Sequence, residues 1–118
     1  ARAIGCTRTS FLGSNGIESS AGDLAMLLAQ LQNGQILDQQ SSRDKLINAM
    51  KRNVYRQGLP CGANGVVADK VGFLWGLLHD ASIVYSPSGT YVLVILTDGS
   101  SWSTIADLTR KIEALRTQ

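Results

Sequence analysis

Three sets of residues in this chain have types and spacing that could do chemistry. The tripeptide Lys70-Val71-Gly72 sets a cation beside a glycine at the end of a β-branched run. His79 follows it after an aromatic turn, and it is the one side chain here whose ordinary pKa suits proton transfer near neutral pH. Cys6 and Cys61 lie far apart without C-x-x-C spacing. They either pair in an oxidising compartment or serve as small buried hydrophobes. With a single histidine beside them, they fall short of the roughly four ligands a structural zinc takes. No metal and no other cofactor is therefore expected. The basic pairs Lys51-Arg52 and Arg110-Lys111 fall in amphipathic helical patterns and read as solvated faces. A nucleic-acid surface needs a denser basic stripe with stacking aromatics than a net charge of +2 provides.

The elements that must position Lys70 and His79 lie between Val66 and Thr97. Runs of Val, Ile, Tyr and Thr there are bounded by glycine and proline clusters, which is the signal of strands and hairpins. The reading is three adjacent antiparallel strands. The first closes with Lys70-Val71-Gly72, an aromatic turn lies between Gly72 and Gly76, and Ser86-Pro87-Ser88-Gly89 makes the second turn. Tyr91 to Thr97 is an almost unbroken apolar strand.

Around this hairpin pair, 44% hydrophobic and 17% charged residues predict a chain that folds around a core. Its 118 residues fit one domain or part of a larger one. Ala1 to Gly5 reads as the tail of a helix stopped by glycine, so a mature or cut start is expected, and no signal-peptide pattern opens the chain. Cys6 to Ser19 reads as an irregular loop rich in turn formers, Ser14 and Asn15 among them. Phe11, Leu12 and Ile17 are expected to pin it to the body. Ser20 caps a helix, with Asp23 near its positive end and Leu24, Leu27, Leu28 and Leu31 on one apolar stripe. Ser41 or Ser42 caps a second helix, with Leu46, Ile47 and Met50 inward. Val54 to Asn64 reads as a loop. After the strands, Asp98-Gly99-Ser100-Ser101 leads into a last helix marked by Trp102, Ile105, Leu108, Ile112 and Leu115. No run approaches the roughly 20 apolar residues of a membrane span.

This inventory is physically incomplete. Tyr91 to Leu96 is apolar on both faces, as in a strand covered on both sides, and a three-stranded sheet leaves open edges. More protein, from the same molecule or another, is expected to pack against it.

The order of elements resembles the C-terminal portion of the class A β-lactamase and penicillin-binding protein superfamily. The resemblance rests on the helix start Ser19-Ser20-Ala21-Gly22-Asp23-Leu24, the Lys-x-Gly strand end, and the strand His79-Asp80-Ala81-Ser82-Ile83-Val84-Tyr85. The final strand and helix complete it, so it spans nearly the whole chain. The superfamily's chemistry uses three motifs, S-x-x-K, S-D-N (or S-x-N) and K-T-G. Only the third is matched here, by Lys70-Val71-Gly72. The resemblance implies that Lys70 is the electrostatic anchor of the cleft, that Gly72 lets substrate backbone lie close, and that Phe73 lends its N–H to an oxyanion hole. Such a donor is worth about 3 kcal/mol in these sites. Val71 departs from the family's Thr or Ser and cannot donate a hydrogen bond to a substrate carboxylate.

Ser42-Arg43-Asp44-Lys45 satisfies S-x-x-K literally, yet it matches a family helix remote from the cleft and reads as a capped, exposed turn. The nucleophile is therefore expected outside this chain. Glu18, without an E-x-x-L-N pattern, reads as an acid facing a helix dipole rather than as the deacylating glutamate of the β-lactamase branch. The short loop Thr7-Arg8-Thr9-Ser10-Phe11 looks more like the D,D-peptidase branch. His79 either serves the cleft, where relatives often carry a basic group, or is a hydrogen-bonded partner of Asp80 or Asp69. Phe73 and Trp75 either wall the cleft or cap the hairpin.

The resulting expectation is an α+β fold in which residues 1–118 form the C-terminal part of a single β-lactamase-like domain. The function implied is that of a penicillin-interactive serine hydrolase or acyltransferase acting on β-lactams or D-Ala-D-Ala peptidoglycan peptides, inactive as this polypeptide alone. Its candidate site residues are Lys70 and Phe73 for catalysis and Val71, Gly72 and His79 for substrate. Its partners are the N-terminal part of the same domain or a second chain, and the resemblance implies an extracytoplasmic location. The alternative is a non-catalytic module that binds cell-wall peptides or a protein partner.

Overall fold

The computed structural model describes residues 2–13 and 16–116. A 3₁₀ turn, Arg2–Ile4, opens it. Then come strands β1 (Ser10–Gly13) and β2 (Gly16–Glu18), helices α1 (Ala21–Gln32) and α2 (Gln40–Lys51), and the single turn α3 (Leu59–Gly62). Strands β3 (Val66–Leu74), β4 (Leu77–Ser86) and β5 (Gly89–Asp98) follow, and helix α4 (Trp102–Arg116) closes the chain. The α+β class holds. The starting residue Ala1 and the turn formers Ser14 and Asn15 lie outside the described residues.

The three long strands form an antiparallel sheet in the order β3-β4-β5. Lys70 lies opposite Ala81, Gly72 opposite His79, and Val71 opposite Asp80. Strand β3 runs on to Leu74, so Lys70-Val71-Gly72 sits inside it rather than at its end. The first hairpin turns through Trp75 and Gly76 alone, with φ of 52° and 82°. A two-residue turn with both φ positive matches the right-handed twist of its strands, which is why β3 carries past Gly72.

Side chains alternate across the sheet with the strand period of two. Val67, Val84 and Ile95 face one side, where Leu59 of α3 and Ile105 of α4 close the core. Ala68 and Ile83 face the other, against Leu28 and Leu31 of α1 and Ile47 and Met50 of α2. The unbroken apolar run of β5 is thus explained by helices on both faces. Its outer edge has no strand partner among the described residues, and apart from Ile95 its apolar residues remain half-buried.

Several local expectations need correction. The segment after Cys6 is not wholly irregular, because β1 and β2 pair as a short antiparallel hairpin. Phe11 and Ile17 are exposed and pin nothing. The segment is held instead by polar contacts with α1. Asp23 Oδ2 accepts from the Arg8 N–H at 2.7 Å and from Thr9 Oγ1 at 2.8 Å, and Gln30 Nε2 donates to the Ile4 carbonyl at 2.8 Å. Ser20 caps α1 as expected, its hydroxyl accepting from the Asp23 N–H. Helix α2 begins earlier than expected, with Gln39 at its cap position and no side-chain cap, and Leu46 is exposed. Inside the expected loop, Leu59-Pro60-Cys61-Gly62 forms α3, and Leu59 is fully buried. Helix α4 has the expected bounds, but it buries Ile105, Ala106, Thr109 and Glu113 and exposes Leu108 and Leu115. The cysteines are unpaired: Cys6 is buried and Cys61 exposed, so the buried-hydrophobe alternative describes Cys6 only.

Candidate functional site

Strand β3 is the outer strand of the sheet on the side of Lys70, and its register decides which backbone groups reach that open edge. Leu74 and Leu77 flank a two-residue turn and form a hydrogen-bonded pair, and such pairs alternate along antiparallel strands. Gly72 and Lys70 therefore bond to β4, while Phe73, Val71, Asp69 and Val67 direct their N–H and C=O groups outward. Side chains confirm this direction. The Val67 carbonyl accepts from Arg56 Nη2 at 3.0 Å, the Asp69 carbonyl from Asn53 Nδ2 at 3.3 Å, and the Val71 carbonyl from Lys70 Nζ at 2.6 Å. The Phe73 N–H thus lies on the same open edge as the exposed Lys70 amine.

Two cavities adjoin this edge. One, of about 720 Å³, is bordered by Ile17, Glu18, Gly72, Phe73, Trp75 and His79. The other, of about 400 Å³, is almost entirely apolar and runs between the sheet and α1 and α2, with Leu28, Met50, Lys70, Gly72, His79 and Leu96 among its walls. Gly72 and His79 border both. A Cβ built on Gly72 would meet only His79 Cδ2, at 4.0 Å, so the floor of the site is open above this residue. His79 Nδ1 accepts from the Thr97 N–H at 3.1 Å. That bond leaves the ring proton of the neutral imidazole on Nε2. His79 is therefore no partner of Asp69 or Asp80, because strand alternation puts those carboxylates on the opposite side of the sheet.

The sequence-predicted residues are thus brought together unequally. Lys70, Gly72, Phe73 and His79 share the edge and its cavities. Val71 adjoins the apolar cavity but is only 5% exposed and lies on the α4 side with Val67 and Asp69. Phe73 also packs edge-on to Tyr55 and Trp102, with ring centroids 5.6 and 6.5 Å away. Trp75 stands 80% exposed at the hairpin tip and borders the larger cavity. Both aromatics thus border the larger cavity, and Phe73 in addition braces the hairpin. Ser42 and Lys45 border neither cavity. Glu18, set aside in the sequence as a dipole-facing acid, borders the larger one. Among the described residues no cluster of His, Cys, Asp and Glu could hold a metal ion, and no helix is long and apolar enough to cross a membrane.

Behind the edge, on the α4 side, lies a cluster that sequence reasoning did not assemble. Asp69 Oδ1 pairs with Arg56 Nη1 at 3.1 Å. Arg56 also donates to the Lys51 and Val67 carbonyls. Asp80 Oδ2 accepts from the Leu59 N–H at 3.0 Å. Gly58 permits that approach, since a Cβ there would sit 3.0 Å from Asp80 Oδ2 and 2.9 Å from the Trp102 ring. Burial, followed by the hydrogen bond to Asp69 and its charge, pushes the Asp80 carboxyl from 3.8 up to about 9. The only signal in the sequence was position: Asp69 precedes Lys70 and Asp80 follows His79.

Comparison with known proteins places the fold. A family model described as the β-lactamase enzyme family matches residues 3–116. The chain is similar to the solved structure of PBP-A, with a TM-score of 0.85 and 26% identity over 99% of this chain and 49% of that one. A mutant of PBP-A, solved as an acyl-enzyme complex with penicillin G, aligns equally well. A β-lactamase from Sphaerobacter thermophilus DSM 20745 shares the fold at a TM-score of 0.78 and 19% identity, over 93% of this chain and 44% of that one. No curated protein sequence matches the chain significantly. The chain therefore spans about half the length of the solved structures it resembles.

Proposed function

The chain belongs to the β-lactamase enzyme family, and from that premise we propose that it forms the Lys-x-Gly side of an acyl-transfer cleft. The cleft takes a β-lactam or a D-Ala-D-Ala peptide, and a serine supplied from outside residues 1–118 attacks its carbonyl. One observation carries this reading: the outward N–H of Phe73, the exposed amine of Lys70 and the open floor at Gly72 lie along one uncovered strand edge. The Phe73 N–H is aimed where charge develops on a carbonyl under attack, a position at which a preorganised donor lowers the barrier. The Lys70 cation attracts the substrate carboxylate. Gly72 has no side chain to keep an extended substrate from lying along the strand. His79, held by the Thr97 N–H at Nδ1, borders the cleft beside Gly72.

The rest of the domain, in this molecule or a second chain, seats in the apolar cavity between the sheet and α1 and α2 and brings the nucleophile with it. Ser42 and Lys45 border neither cavity, so this polypeptide alone is inactive. An extracytoplasmic location follows from the same substrates.

Val71 favours a second reading, a non-catalytic module that binds cell-wall peptides or a protein partner. Its side chain offers no hydroxyl to a carboxylate. Intact-mass spectrometry of the full-length protein, before and after penicillin G, separates the two. A species that gains the mass of the drug establishes the acyl-serine reading, whereas no adduct shifts the assignment to the binding module. In the acylating case Val71→Thr raises the acylation rate, and in the binding module it changes nothing.

A further inference from the structure

Two buried oxygens behind the site have no partner as long as both carboxylates are ionised. Asp69 is 1% exposed and Asp80 is fully buried. Asp69 Oδ1 is taken by Arg56 and Asp80 Oδ2 by the Leu59 N–H. Asp69 Oδ2 and Asp80 Oδ1 remain without a donor among the described residues, although the two side chains are within hydrogen-bonding reach of each other. Two anions so placed in a dry interior repel, and each unmet acceptor is costly. One proton removes both difficulties, because a protonated carboxyl donates to its ionised neighbour.

We propose that Asp80 and Asp69 hold a single shared proton between Asp80 Oδ1 and Asp69 Oδ2, and that this proton fastens β3 to β4 directly behind Lys70 and His79. The hairpin then responds to alkaline pH at a point no solvent reaches. This inference does not depend on the acyl-transfer reading.

The surroundings leave the cluster neutral. Arg56, from the segment before α3, is the one cation paired with the two acids among the described residues, and it balances the remaining charge on Asp69. Helix α3 contributes the Leu59 N–H. Helix α4 contributes Trp102, which packs uncharged over Gly58, and β5 contributes Ile95 opposite Asp80. Lys70 and His79 lie across the sheet.

The sign of the pH dependence follows from linkage. Asp80 holds its proton in the folded state up to about 9, whereas the unfolded chain releases it near 3.8. Stability from this proton is complete below the unfolded value, declines as pH rises between the two, and is fully lost above the folded one.

The test uses purified full-length protein. Carbon-13 NMR of labelled aspartate carboxyls is expected to show one proton on the Asp69 and Asp80 pair at neutral pH, released only in the alkaline range. In Asp80→Asn the amide donates permanently to Asp69 Oδ2 while its oxygen still accepts from Leu59. Its Tm is therefore expected to stay level from about pH 6 to about pH 10, over which the wild type loses several degrees. Both carboxyls ionised at neutral pH would overturn the proposal. So would variant and wild type losing Tm in parallel. Should the variant not fold, the wild-type spectrum decides alone.

Discussion

The two faces of the β3–β4 hairpin are built to different specifications. On the α4 side, Asp69, Asp80, Arg56 and the Leu59 N–H close on one another, and Phe73 is braced between Tyr55 and Trp102. On the α1 side, Lys70, Gly72 and His79 overlook an almost wholly apolar cavity. The first face meets its polar groups from within the chain, except for one oxygen each on Asp69 and Asp80, which the proposed shared proton would join. The second leaves apolar walls and a cation facing open space among the described residues. Rigid support behind a strand and open space in front of it is what a binding edge requires.

The sharpest way to break this comparison is to disarm the finished face. Arg56→Ala leaves a carboxylate buried without its cation and strips three acceptors of their donor. A loss of about 3 kcal/mol is expected in urea denaturation. A loss below about 0.5 kcal/mol would mean that the cluster is not the brace described here. A change on the open face should behave in the opposite way. Gly72→Ala adds a methyl that meets nothing closer than 4.0 Å, so stability should move by less than about 0.5 kcal/mol. Acylation by penicillin, or peptide binding, should nevertheless fall at least about tenfold, or roughly 1.4 kcal/mol. The smallest effect sharpens the comparison at the tip that joins both faces. A non-glycine residue in the left-handed region costs roughly 1–2 kcal/mol, and asparagine less than most. Trp75→Asn should therefore raise stability by about 1 kcal/mol in thermal melts, and any accompanying loss of ligand affinity would identify Trp75 as a cleft wall.

Much of this architecture could be read from local pattern. The β-branched runs and their glycine and proline turns located the sheet, and Ser20 with the leucine stripe located α1. What escaped was whatever depended on distant partners. Helix α4 follows an apolar pattern through Leu108 and Leu115, yet it buries Thr109 and Glu113 instead. The Thr109 hydroxyl donates to its own helix at Ile105, while Glu113 Oε1 accepts from the Tyr91 hydroxyl at 2.6 Å and from the Asn64 N–H at 3.4 Å. No periodicity within the helix could reveal those partners. Helix α3 is too short to show a 3.6-residue period, and turn formers masked β1 and β2. Within the site, Lys70, Gly72 and His79 were legible as residue types. The outward aim of the Phe73 N–H and the meeting of Asp69 with Asp80 came only from strand register.

The outer edges of the sheet also differ in how they meet other chains. Along β3, side chains of Arg56, Asn53 and Lys70 occupy the outward carbonyls of Val67, Asp69 and Val71. Charged and polar side chains on an exposed edge discourage another strand from adding to it. Along β5 the sequence from Tyr91 to Leu96 carries no charge at all. An uncharged, β-prone edge is a template for aggregation. Strand β5 is therefore where copies of this chain would first stick to one another.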